Sequence, residues 1–152
     1  MRLCEGLNHA SAEFVVVGSE AVAFHGVPRY SLDFDIFVRP TRANLFRVKA
    51  ALEIFGFADL RKALDPEVWA RTRHTLRLGE PPLQIDVLLQ LSGVEYETVG
   101  RSAVAGRYGE VPVRFMARAD LIVNKRAAGR AKDLADVKAL EVASEIEPEG
   151  DK

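Results

Sequence analysis

At 152 residues the chain is long enough to bury a core and too short for two domains of ordinary size. Hydrophobic residues make up 48% and charged residues 28%, which excludes a disordered chain, and a net charge of -1 excludes whole-surface attraction to nucleic acid. Cys4 is the single cysteine, so neither an intrachain disulfide nor a cysteine-based zinc site can form within one chain. A reducing, cytoplasmic setting is the expectation, and no stretch nears the roughly 18 uncharged apolar residues of a membrane span. The expected organisation is one domain over residues 1–145 and an acidic, flexible tail at 146–152. Basic charge is local, at Lys125, Arg126, Arg130 and Lys132.

In chain order, Leu3, Leu7 and Ala10 recur at helical spacing before Phe14-Val15-Val16-Val17, an apolar run that reads as a buried strand ending at Gly18. Ser19 is in place to cap a second helix through about His25, closed by Gly26 and Pro28. Residues 33–38 alternate at first, as a strand with one face toward a cleft does. A third helix is expected from Thr41 to Phe55, with Leu45, Val48 and Leu52 on one face and Gly56 as its stop. A short helix begins at Pro66, and strands at 75–78 and 83–89 form a hairpin across Gly79-Glu80-Pro81-Pro82. A further strand is expected at 111–115, then helices at 118–128 and 132–144 separated by Gly129. The fold class is therefore α/β (α+β), a mixed sheet flanked by helices.

Residues two apart in a strand share a side, about 7 Å apart, so Asp33 and Asp35 project together. They are either solvated acids at a strand edge or a cation site; magnesium prefers hard oxygen ligands and one or two carboxylates with substrate phosphates. Asp86 stands alone in the apolar run 83–89 and needs a partner, either a salt bridge to Arg29 or Arg77 or a cation shared with the first two acids. Gly18-Ser19, between strand and helix, is an ordinary loop or a place where free backbone N–H groups receive phosphate. Lys125 falls on the apolar stripe of its helix, reaching phosphate or snorkelling from a packed face, with Arg130 similar. Asp133 shares a face with Val137 and Leu140, as a buried partner of Lys125 or Arg130 or as a first-turn acid. His25 reads as a packing or hydrogen-bonding residue in preference to a metal ligand, Trp69 as a core anchor in preference to an exposed ring stacking on a base, while Arg29 pairs with Asp33 or Asp35 or reaches substrate.

Taken together, Val17-Gly18-Ser19, thirteen residues, then Asp33-Phe34-Asp35 and the later lone Asp86 resemble the signature of the nucleotidyltransferase superfamily that includes DNA polymerase beta. Ser19 stands where many members have a second glycine. His25-Gly26, Arg29, Ser31 and the late Lys125, Arg130, Lys132-Asp133-Leu134 and Asp136 are similar to small bacterial members related to toxins of the AbiEii type. The resemblance covers residues 14 to 140 and is strongest over 15 to 39. It implies that Asp33, Asp35 and Asp86 hold magnesium, or manganese, and that Gly18, Ser19, Arg29, Lys125 and Arg130 contact a nucleoside triphosphate with Asp133 in support. It further implies transfer of a nucleoside monophosphate to an acceptor hydroxyl on RNA such as tRNA, on a protein or on a small molecule. The rivals are a catalytically silent nucleotide- or partner-binding protein and a toxin–antitoxin component. Asp33→Asn or Asp35→Asn is expected to abolish magnesium-dependent triphosphate binding in calorimetric titration with the fold intact, and unchanged affinity in both variants removes these acids from the site.

Overall fold

The computed structural model describes residues 2–30, 33–54, 64–80 and 84–146. Along the chain run α1 (Arg2–His9), β1 (Phe14–Val17), α2 (Gly18–Phe24), β2 (Asp33–Val38), α3 (Arg42–Ile54) and α4 (Pro66–Thr72). Then come β3 (Leu76–Leu78), β4 (Gln84–Leu88), α5 (Tyr96–Ser102), β5 (Val104–Tyr108), β6 (Val111–Phe115), α6 (Arg118–Ala128) and α7 (Ala131–Ile146). The strands form one mixed six-stranded sheet in the order β3-β4-β2-β1-β6-β5. β1 pairs with β2 antiparallel and with β6 parallel, and β2 pairs with β4 parallel.

The unbroken apolar run of β1 fits a strand buried on both sides, and all four of its residues are buried at the sheet's centre. β2 alternates, with Asp33 and Asp35 half-buried and Phe34 and Ile36 buried, until Phe37 and Val38 bury both faces. One core gathers these strands with Leu45, Val48 and Leu52 of α3 and Trp69 of α4. Trp69, fully buried, satisfies its indole by donating from Nε1 to the His74 carbonyl at 2.9 Å.

Buried polar contacts fix the frame around β2. Asn44 at the start of α3 is 1% exposed; its Nδ2 donates to the carbonyls of Glu13 and Arg39, both at 2.9 Å, and its Oδ1 accepts from the Glu13 N–H at 2.7 Å. One amide thus fastens the start of β1 to the end of β2, and leaving those three backbone groups unpaired inside the fold is costly. Arg39 continues the seam by pairing with Glu13 at 2.8 Å and lying 5.0 Å over the Tyr96 ring of α5.

Two readings of the sequence are corrected. Ser19 does not cap α2, because β1 passes straight into the helix: Val17 is the extended residue before it and no side chain caps it. Residues 90–110, in which no element was read, hold α5 and β5. Gly56, Pro81, Pro82, Ser31 and the tail from residue 147 lie outside the described residues. No helix among the described residues is long and apolar enough to cross a membrane.

A candidate nucleotide cleft

β2 and β4 run side by side with Asp33 opposite Gln84 and Asp35 opposite Asp86, so three carboxylates share one face of two neighbouring strands. On the other side of β2, Val17 is the register partner of Asp35, and the next residue, Gly18, turns the chain into α2 with φ +65°. A Cβ at Gly18 would lie 3.2 Å from both Cβ and Cγ of Asp35 and closer still to Oδ2. Glycine is therefore required twice, for its left-handed backbone and for the room it leaves the carboxylate.

Asp35 is strongly perturbed. Burial first, then the charges of Asp86 and Asp33, push its carboxyl from 3.8 up to about 6, against the opposing pull of Lys125 and Arg77. Its Oδ1 is buried and has no hydrogen-bond partner among the described residues. Asp86, 8% exposed, accepts at Oδ1 from Arg77 Nε at 3.0 Å and from Gln84 Nε2 at 3.3 Å.

The facing wall comes from the helical hairpin α6–α7, turned at Gly129. Lys125 lies between two buried acids, with Nζ 3.0 Å from Asp136 Oδ2 and 3.6 Å from Asp133 Oδ1. Arg130 pairs with Asp133 at 2.6 Å, and the Arg130 backbone N–H also donates to that carboxylate at 3.3 Å. Burial alone would raise the Asp133 carboxyl; hydrogen bonds from Arg130 and the charges of Arg130 and Lys125 more than offset it and hold it below the ordinary range. Burial lowers the Lys125 ammonium, with Asp133 opposing and Arg29 and Lys132 adding to the shift. Asp133 is thus both the partner of the two cations and a first-turn acid of α7, which unites the two readings of it.

Both ends of α6 are anchored. The imidazole of His25, buried, donates from Nε2 to the Met116 carbonyl at 2.8 Å just before α6, while Arg118 Nη2 donates to the His25 carbonyl at 3.2 Å. Further along, Asn124 Nδ2 donates to the Ser92 carbonyl at 2.9 Å, and a Cβ at Gly93 would sit 2.6 Å from that of Ala127, so the turn after β4 seats tightly on the helix. The basic wall is thereby held at a fixed place relative to the acids.

Between the walls is a cleft of about 430 Å³ lined by Gly18, Asp33, Asp35, Asp86, Lys125, Arg130 and Asp133 together with Arg77, Lys132 and the turn residues Gln90, Leu91 and Ser92. Seven of the nine expected site residues are brought together there. Ser19, in the first turn of α2, and Arg29 are not among the lining residues. Arg29 is drawn to Asp136, not to Asp33, Asp35 or Asp86, so the partner of Asp86 is Arg77. The turn residues and Asn124 carried no sequence signal, being polar residues in a loop and on a helix face. Among the described residues no three His, Cys, Asp or Glu side chains converge as a ready-made cation site. The donor chemistry nonetheless fits magnesium, since the cleft offers hard carboxylate oxygens, one of them buried without a partner. No family model matches the chain, and no curated protein matches it.

Two outcomes follow from these charges. Asp35 holds its proton more tightly folded than unfolded, so it adds stability at pH values below 3.8 and loses that contribution as pH rises through about 6. Asp35→Asn, which imitates the protonated acid, should therefore match the parent's unfolding free energy near pH 4 and exceed it at pH 8, by on the order of 1–3 kcal/mol, in denaturant titrations with chelator present; an equal difference at both pH values contradicts this. Lys125→Met should cost about 1–3 kcal/mol, less than a wholly unpaired buried charge because Asp133 and Asp136 each keep an arginine. A second change to Asp136→Asn, at the nearer partner, should recover more of that loss than Asp133→Asn in the same denaturation series.

Proposed function

We propose that the chain is a magnesium-dependent nucleotidyltransferase that moves a nucleoside monophosphate from a triphosphate to an acceptor hydroxyl. The observation that supports this most is the close approach of Gly18 to Asp35, whose buried Oδ1 has no partner and whose carboxylate stands beside Asp86, with a basic wall across one cleft. A cleft that places carboxylates opposite Lys and Arg suits a ligand that is itself a polyanion bound with cations. A smaller anion has no use for the acids, and a bare cation has none for the lysine.

Magnesium, or manganese in its place, when held by Asp33, Asp35 and Asp86, would neutralise the triphosphate and align the attacking and leaving oxygens. The chain's own residues do the rest. Gly18 leaves the backbone open to phosphate at the floor of the cleft, and Lys125 and Arg130, oriented by Asp136 and Asp133, draw the phosphates to the opposite wall. The acceptor oxygen attacks the α-phosphorus, the bond to the bridging oxygen of the β-phosphate breaks, and pyrophosphate leaves. The hydroxyl proton passes to Asp86, which must first part from Arg77.

The Arg77–Asp86 pair also favours a second reading, a nucleotide-binding protein without turnover, because a guanidinium on one carboxylate weakens it as a ligand and as a base. Pyrophosphate release separates the two. Incubation with each of the four triphosphates, magnesium or manganese, and RNA, protein or small-molecule hydroxyl acceptors is expected to give acceptor-dependent pyrophosphate that falls at least about 100-fold in Asp35→Asn. Magnesium-dependent nucleotide binding with no pyrophosphate on any acceptor assigns the silent reading, and pyrophosphate release undiminished in Asp35→Asn overturns the placement of the site.

A further inference from the structure

Arg77 is hydrogen-bonded to Asp86 of the carboxylate cluster, and its attachment differs in kind from that of Lys125. Lys125 is 14% exposed and wedged between acids of its own hairpin. Arg77 stands opposite Asp86 in the β3–β4 register, on a three-residue strand at the edge of the sheet, with Nε 3.0 Å from Asp86 Oδ1 and Nη2 3.4 Å from Oδ2. Its side chain is 65% exposed against 11% for Asp86. The acid is therefore fixed and the base is free to swing, since moving an exposed arginine stem breaks no core contact while moving Asp86 would disturb a central strand. Three like-charged groups on one face need a counter-ion when no divalent cation is bound, and Arg77 supplies it. A cation that takes the Asp86 oxygens cannot share them with a guanidinium spanning both.

We propose that Arg77 is an exchangeable counter-ion: it holds Asp86 until a divalent cation displaces it, and the released guanidinium then turns into the cleft mouth to meet the nucleotide phosphates. This rests on the reading of the cleft as a cation and triphosphate site. It gives Arg77 two effects of opposite sign, because the same side chain competes with the cation and assists the anion. It also orders binding: the cleft takes its nucleotide best after the cation has arrived.

The test is manganese binding followed by electron paramagnetic resonance, with a non-hydrolysable ATP analogue titrated afterwards at saturating manganese, on the full chain and its Arg77→Gln, Arg77→Lys and Asp35→Asn variants. Arg77→Gln should bind manganese about 2- to 5-fold more tightly, the range an exposed ion pair allows, and the analogue at least about 5-fold more weakly. Arg77→Lys, which keeps the charge without a fork to span both oxygens, should fall between on both measures. If the parent binds manganese and Asp35→Asn does not, yet Arg77→Gln binds it no more tightly than the parent, the exchange is overturned while the cleft reading stands. Unchanged analogue affinity in Arg77→Gln overturns the transfer to phosphate. A parent that binds no manganese, or Asp35→Asn binding it as the parent does, overturns the cleft reading and the exchange with it.

Discussion

Two carboxylates, Asp35 and Asp86, stand side by side across the parallel pairing of β2 and β4, in a place too dry for water to screen them well. That juxtaposition costs stability, and much of the surrounding structure can be understood as holding it in place. The Asp35 proton is retained to about pH 6, Arg77 is pulled from the sheet edge onto Asp86, and Gly18 gives up a side chain so that Asp35 has somewhere to lie. A neutral side chain at either position would remove the repulsion, so the paired charge is not something that sheet formation demands. Strain of this kind, kept where a cleft opens, points to a ligand that relieves it.

The opposite wall solves the converse problem. Asp133 and Asp136 are buried almost completely, yet neither is unpaired, because Lys125, Arg130 and Arg29 converge on them. Of these, Lys125, Arg130 and Asp133 line the cleft, two cations against one acid, which leaves positive charge facing it, with Lys132 adding to it. Since Arg29 follows α2, its tie to Asp136 also joins the stretch after that helix to the hairpin that carries Lys125.

What could be read from the sequence was what depends on near neighbours. The apolar run of β1, the glycine that ends it, the alternation of β2 and the lone acid in β4 are local patterns, and each became the element expected of it. Which strands lie together is not local: that Asp86 stands near Asp33 and Asp35 is one of two readings of a lone acid and is otherwise implied by the family resemblance, and nothing in the chain order announces that Arg29 crosses to Asp136 in place of the nearer acids. The stretch 90–110 stayed silent for a different reason. α5 buries only Tyr96 and Val99 and contains Gly100, while β5 is an edge strand with Gly106 at its centre and Val104 and Ala105 exposed, so neither carries a clear period. Ser19 misled because a serine beside a helix start usually caps it, whereas here strand and helix meet with no residue between them.

The proposed function requires that Asp33, Asp35 and Asp86 hold a divalent cation on one face of the sheet. Paramagnetic line broadening tests it most directly, since substoichiometric manganese relaxes nuclei near where it binds. In a nitrogen–proton correlation spectrum the amides of Gly18, Asp35 and Asp86 should broaden first, with those of α1 and β5 unaffected, and added magnesium should restore them. Broadening that begins instead at other acids, such as Glu141 and Glu145 of α7, and leaves Asp35 sharp would contradict the account.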